Sequence, residues 1–275
     1  MGVDMRKQRN AILLVAMGLT PVLLTACGGG SESPDEGRGG GPPAAINQLD
    51  AECLAAPAVG QQVTATLTAA PLIQVATFQT KALGKTSFDG GNYDTLELKL
   101  LHGIYDWGGK DALVYIDPMS PIFPIGVTEY NHRSTGNYNK YRRFTYTDMV
   151  TGQTGTPSLV GMKPNETRSF TMAEADATAL ATKPQPTLVP ISRVVDVAVQ
   201  YVGREDVTVK GVTYKGACKL VLHYERKDQG SLYPLPVLEG TAWLAPSAGV
   251  VKLSGAPLVG ADMMTAETTG IVSVN

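Results

Sequence analysis

Val194-Val-Asp-Val-Ala-Val-Gln-Tyr201 decides the fold class of this chain. Apolar side chains recur at every second position from Val195 to Tyr201, with Asp196, Ala198 and Gln200 between them. A period of two buries one face of an extended strand and leaves the other in water. The same alternation appears in Val63-Thr-Ala-Thr-Leu67, Thr95-Leu-Glu-Leu-Lys-Leu100 and Cys218-Lys-Leu-Val-Leu222. Gly, Pro and Asn break these runs into strands, so the expectation is an all-β, antiparallel protein. One helix is predicted, from Met172 to Ala181, with Thr171 and Glu174 forming a capping box and Pro184 and Pro186 stopping it.

Outward from that core, the chain resembles itself. Val59-Gly-Gln-Gln-Val-Thr-Ala-Thr66 matches Lys163-Pro-Asn-Glu-Thr-Arg-Ser-Phe-Thr171, a turn followed by a polar strand. Gln74 to Gln79 aligns with Val197 to Val202, and Phe88-Asp-Gly-Gly-Asn-Tyr93 with Val209-Lys-Gly-Val-Thr-Tyr214. Leu113 to Pro118 aligns with Thr241 to Pro246. Four matches in one order predict two tandem β modules, residues 46–156 and 157–275, forming a curved sheet, half-barrel or sandwich. An ungapped register pairs His102 with His223 but turns Leu96, Leu98 and Leu100 onto the wrong face of the second copy. One extra residue, placed as a bulge at Gly216, restores them to Cys218, Leu220 and Leu222, and core burial decides for that register.

The N-terminal residues belong to export rather than to the fold. Arg6, Lys7 and Arg9 precede an apolar run from Ala11 to Leu24, too short and too interrupted by Thr20 and Pro21 for a membrane span. Leu24-Thr-Ala-Cys27 follows, and it resembles the lipobox of bacterial lipoproteins. That resemblance implies cleavage of a signal peptide, residues 1–26, and acylation of Cys27 with palmitate-type chains. Two or three chains give stable anchoring where one gives marginal binding. Gly28 after the cysteine implies the outer membrane. Residues 27–45, rich in Gly and Pro, read as a flexible tether with a reach of roughly 20–25 Å.

Removing Arg6, Lys7, Arg9 and Asp4 with the signal leaves 20 basic and 24 acidic residues, a formal charge of −4. That balance argues against a nucleic-acid partner. Cys53 and Cys218 then remain in an oxidising compartment, where the alternatives are a disulfide or two buried thiols.

Val202 to Leu220, followed by Gly240-Thr-Ala-Trp-Leu-Ala-Pro-Ser-Ala-Gly-Val-Val-Lys252, resembles a module of uncharacterised envelope lipoproteins. The module has a Gly-x-Glu-x-Val-Thr-Val strand, a Cys-x-Val strand and a closing aromatic-x-x-Pro hairpin. It implies a curved antiparallel sheet, similar in outline to lipoprotein-carrier half-barrels, and brings no settled activity.

Chemistry is sparse. No zinc-protease, nucleophile-elbow, Walker or dinucleotide motif occurs, so neither enzyme activity nor a cofactor is expected. His102, His132 and His223 lack metal-ligand spacing, and Asp89-Gly-Gly-Asn-Tyr-Asp94 reads as a turn rather than a calcium loop. The most suggestive stretch is Tyr130 to Tyr146, with five aromatic and five basic residues. Tyr130, Arg133, Tyr138, Tyr141 and Arg143 form its candidate ligand surface, since aromatic rings with Arg stack on sugars or grip acids. Alternation also explains the stretch as an exposed hairpin, with Tyr141, Arg143 and Thr145 on one face and Arg142, Phe144 and Tyr146 on the other. The expectation is a non-catalytic binding or structural module in the envelope, holding a glycan, an apolar molecule or a protein partner. The alternative is a carrier of lipid or another apolar ligand inside a curved sheet.

Overall fold

The alternating runs become long strands that zip to their sequence neighbours. The computed structural model describes residues 48–273 apart from 57, 70–72, 104–110, 119, 121, 134–135, 228–236, 247–248 and 257–263. The strands are β1 (Gln61–Ala69), β2 (Ile73–Phe88), β3 (Gly91–Gly103), β4 (Asp111–Ile116), β5 (Pro124–Arg133) and β6 (Gly136–Asp148). They continue as β7 (Thr167–Leu180), β8 (Val189–Val209), β9 (Val212–Arg226), β10 (Val237–Ala245), β11 (Gly249–Ala256) and β12 (Met264–Ser273). From β1 to β11 each strand pairs antiparallel with the next, giving one continuous sheet. β12 then pairs with both β11 and β1, and the sheet closes into a barrel.

Inward-facing residues fill one end of that barrel. Phe78, Leu96, Val114, Val127, Phe144, Phe170, Val197, Val199, Leu220, Leu244 and Val250 belong to a single buried cluster. Both proposed modules contribute to it, so they share one core. Phe123 belongs to it, edge-on to Tyr146 and Phe170 at 5.3 and 5.6 Å between centroids.

The helix predicted over 172–181 is a strand, the second half of β7. Met172, Glu174, Asp176 and Thr178 alternate with four alanines, and β6 and β8 supply ladder partners on both sides. Glu174 does not cap a helix; it turns inward and pairs with Arg193 and Arg142. Tertiary partners override alanine's helix propensity here.

The four internal matches fall at related places, six strands apart. Ala58–Gln61 and Lys163–Glu166 are both turns with a left-handed third residue, Gly60 (φ 86°) and Asn165 (φ 65°). Gln61 N–H donates to Ala58 O at 3.0 Å, and Glu166 N–H to Lys163 O at 2.9 Å. Side chains close each turn in the same way: Ala58 N–H donates to Gln61 Oε1 (3.0 Å), and Lys163 N–H to Glu166 Oε2 (2.8 Å). Gly60 N–H reaches Ala82 O on β2, just as Asn165 N–H reaches Tyr201 O on β8. Two-residue turns with positive φ, Asp89-Gly90 and Lys210-Gly211, tip the β2–β3 and β8–β9 hairpins.

The bulge expected near Gly216 is present. Gly216 has φ 59°, the β8–β9 register shifts between Glu205 and Val207, and Asp206 Oδ1 accepts the Gly216 N–H at 2.9 Å. Cys218, Leu220 and Leu222 consequently face the core, as Leu96 and Leu98 do.

Candidate functional site

Two ends of the barrel differ in what lines them. At the end where the chain enters, Leu49, Cys53 and Leu54 lie fully buried beside Leu159 and Met162 of the β6–β7 connection. Leu49 N–H donates to Met162 O, and Gly161 N–H to Leu49 O, each at 2.8 Å. These two segments plug the barrel. Cys53 is joined to Cys218 on β9, with Cα atoms 6.2 Å apart, inside the range a disulfide spans. Asp50 pairs with Arg204 of β8 and accepts the Cys53 N–H at 3.2 Å, fixing the plug a second time. Asp50 and the two sulfurs cluster closely enough to suggest metal ligands, but sulfurs joined to each other lack the thiolate a metal takes.

The opposite end carries charge on its inner wall. β6 turns Phe144 and Tyr146 into the core, so Arg142, two residues on, also faces inward, with only 6% of its side chain exposed. It bonds Glu129 of β5 and lies 3.8 Å from Glu174 Oε1 of β7. Glu174, 3% exposed, accepts Arg193 NH1 at 2.9 Å. The β7–β8 register breaks between Ala173 and Ala175, which sets Arg193 opposite Glu174. Lys140 and Asp176 form the next pair outward at 3.2 Å. Burial pushes the Tyr146 and Tyr224 phenols upward, so both stay neutral at ordinary pH.

The candidate surface read from sequence divides between the two faces. Tyr138 is on the inner face of β6, while Tyr130, Tyr141 and Arg143 are outside. Tyr141 is buried with Phe88 and Tyr115 in a cluster on the barrel exterior. Phe88 stacks on Tyr115 at 4.2 Å, and Tyr115 Oη shares a 3.0 Å hydrogen bond with Thr128. Arg143 pairs with Asp89, and Asp89 N–H donates to Gln185 Oε1 at 3.2 Å. These residues dock the β2–β3 tip onto β4–β6. A Cβ at Gly126 would sit 2.3 Å from the Phe88 ring, so that docking requires glycine. Tyr130 is half-buried, and burial with the neighbouring Tyr115 and Tyr141 raises its phenol. The Arg133 side chain, like Cys27, lies outside the described residues. His223 Nδ1 lies 3.1 Å from Glu239 on the exterior, an exposed cross-strand pair.

The β8–β9 tip folds over the exterior in the same manner. Val207 and Val209 pack on Ala245 and Val251, with Tyr214 and Trp243 at the margin. Trp243 Nε1 donates to Glu205 at 2.6 Å, the largest reason that the Glu205 carboxyl is held below the usual range. Lys219 and Lys252 each lie 5.4 Å from the Trp243 ring.

Sequence reading missed the inner charges because a helix was expected around Glu174. A signal existed in Arg142: it shares the face of Phe144 and Tyr146, where a strand with a buried side should be apolar.

No family model matches the chain, and no curated protein matches it. Two solved structures are similar to it. One is a protein named as a lipoprotein from Parabacteroides distasonis, with 10% identity over 80% of this chain and 98% of that one, and a TM-score of 0.36. The other is a protein from Bacteroides fragilis named as exported and as having a YmcC-like fold, with 10% identity over 78% and 96% and a TM-score of 0.38.

Proposed function

We propose that the chain is a lipid-anchored envelope protein whose barrel is a non-catalytic binding module, held to the outer membrane through Cys27. The Cys53–Cys218 disulfide carries the reading. Such a bond forms and persists in an oxidising compartment such as the periplasm, and it locks the first folded residues after the tether. Barrel polarity supports an anchor of lipid rather than of protein. Leu96, Val127, Val199 and Leu220 point inward, while Lys81, Lys99, Arg143, Lys219, Glu225 and Lys252 are on the exterior. A membrane-spanning barrel has the reverse arrangement, with an apolar band outside. Because the chain enters at the plugged end, the charged end is free to face away from the bilayer.

In this reading the two modules, 46–156 and 157–275, descend from one duplicated six-strand unit. The paired turns at Ala58–Gln61 and Lys163–Glu166 support it, because they share hydrogen bonds but few residues. A carrier of apolar ligand needs an open apolar cavity, whereas the described inward-facing apolar side chains pack on one another in one cluster. That packing favours the binding module.

Labelling cells with an alkyne fatty acid tests the anchor. The wild-type protein should take up label and sediment with outer membranes, and Cys27→Ser should be unlabelled and soluble. An unlabelled, soluble wild-type protein would overturn the proposal.

A further inference from the structure

We propose that the rim at the plugged end rests on the phospholipid leaflet that holds the tether, with Met149 and Val150 of the β6–β7 connection entering its interface. This rests on the lipid-anchor reading and says how the barrel sits once anchored. Val150 is 90% exposed and Met149 54%, and Val150 is the most exposed large apolar residue among those described. Turn tips favour Gly, Asn, Asp and Ser, so an adjacent Met and Val at one has no explanation within the turn itself.

Hydrogen bonds fix this tip. Asp148 Oδ1 accepts the N–H groups of Val150 (2.9 Å) and Thr151 (2.7 Å) and the Thr151 hydroxyl (3.0 Å). Asp148 N–H donates to Gln153 O and Gly152 N–H to Asp148 O, each at 2.9 Å, and Met149 N–H donates to Ser169 O at 3.0 Å. Every N–H from Asp148 to Gly152 therefore has an acceptor within the protein. At a membrane that matters, because an unpaired backbone N–H taken out of water costs free energy. Two apolar side chains are exposed, and the N–H groups behind them are already paired.

Position selects the partner. The same connection runs on to Leu159 and Met162, which plug the barrel beside Leu49 and bond to it. Leu49 lies where the chain arrives from Cys27, across residues 28–47 with a reach of roughly 20–25 Å. The leaflet is thus held close to this end, and insertion becomes an intramolecular step for which two side chains suffice. Val59, 70% exposed, follows the plug at the same end. Val189, 62% exposed, lies instead at the charged end, paired with Asp176.

The test replaces Cys27 of the mature chain by a hexahistidine tag. The protein is exported so that the disulfide forms, then held on phosphatidylethanolamine and phosphatidylglycerol vesicles carrying nickel-chelating lipid. Val150→Cys or Val189→Cys supplies one free thiol for a nitrobenzoxadiazole dye. The label at 150 should shift to the blue on the vesicles and be quenched by lipids brominated on their acyl chains. The label at 189 should do neither, although both sites are exposed in the free protein. Imidazole, which releases the tag, should restore the aqueous emission at 150, whereas added salt should not, since screening acts on charges. No shift at 150, an equal shift at 189, or reversal by salt would overturn the proposal. Because the chelator stands in for the acyl chains, this result is readable whatever fatty-acid labelling of the wild-type chain shows, and failure of one leaves the other distinguishable.

Discussion

The two halves of the barrel, β1–β6 and β7–β12, open with the same turn made from different residues. Gly60 and Gln61 in one half do what Asn165 and Glu166 do in the other. Backbone geometry is shared while side chains differ, and the difference is greatest where the hairpins fold over the exterior. The β2–β3 tip docks through Phe88 on Tyr115 and needs Gly126 beneath it. The β8–β9 tip docks through Val207 and Val209, with Trp243 held by Glu205 at the edge. The lesson is that strand order and turn conformation constrain this fold more tightly than the composition of its satellite clusters.

The sharpest way to break the comparison is to empty both tips. Phe88→Ala should cost about 3–5 kcal/mol, a large buried ring lost from a packed site. Val209→Ala should cost about 1–2 kcal/mol, from ~0.8 kcal/mol per buried carbon lost. Urea unfolding followed by tryptophan fluorescence measures both, and equal losses would mean that the two tips are energetically alike. The next largest effect concerns the plug, which is covalently fixed only through its first-half segment. Replacing both Cys53 and Cys218 by Ser should lower stability by ~2–4 kcal/mol, because the unfolded chain regains the freedom of a long closed loop. An unchanged urea midpoint under reducing conditions would show that burial of Leu49, Leu54, Leu159 and Met162 holds the plug unaided.

Smaller effects probe the paired turns. Gly60→Ala should cost about 1–2 kcal/mol, since a Cβ is disfavoured at left-handed φ. Asn165→Gly should change stability by less than ~0.5 kcal/mol, because asparagine already tolerates that conformation. The smallest concerns pH. The Lys163 backbone N–H, and then Arg168, hold the Glu166 carboxyl below the usual range. A depressed folded pKa contributes stability that is present above the unfolded value, and that stability is lost as pH falls through the folded one. Gln61, its counterpart, does not titrate. Glu166→Gln should therefore remove a small acid-side loss of stability, while Gln61→Glu should introduce one; acid titrations of the two variants by circular dichroism would show it.

Much of this molecule follows from local pattern. Alternation in Val194–Tyr201 and Thr95–Leu100 sets strand class and buried face, and the conflict between His102/His223 pairing and leucine burial locates the bulge at Gly216. Tertiary structure decided the rest. Met172–Leu180 has helix-forming alanines and a capping box, but β6 pairs with it to Leu180 and β8 as far as Asp176, and Arg142, Arg193 and Lys140 await its carboxylates. Those partners lie up to 36 residues away in the chain, so no short window of sequence contains them. The Cys53–Cys218 separation and the gathering of charge at one end are of the same kind. Period and turn chemistry act between near neighbours, whereas pairing distance and burial depend on which strands the closed sheet brings side by side.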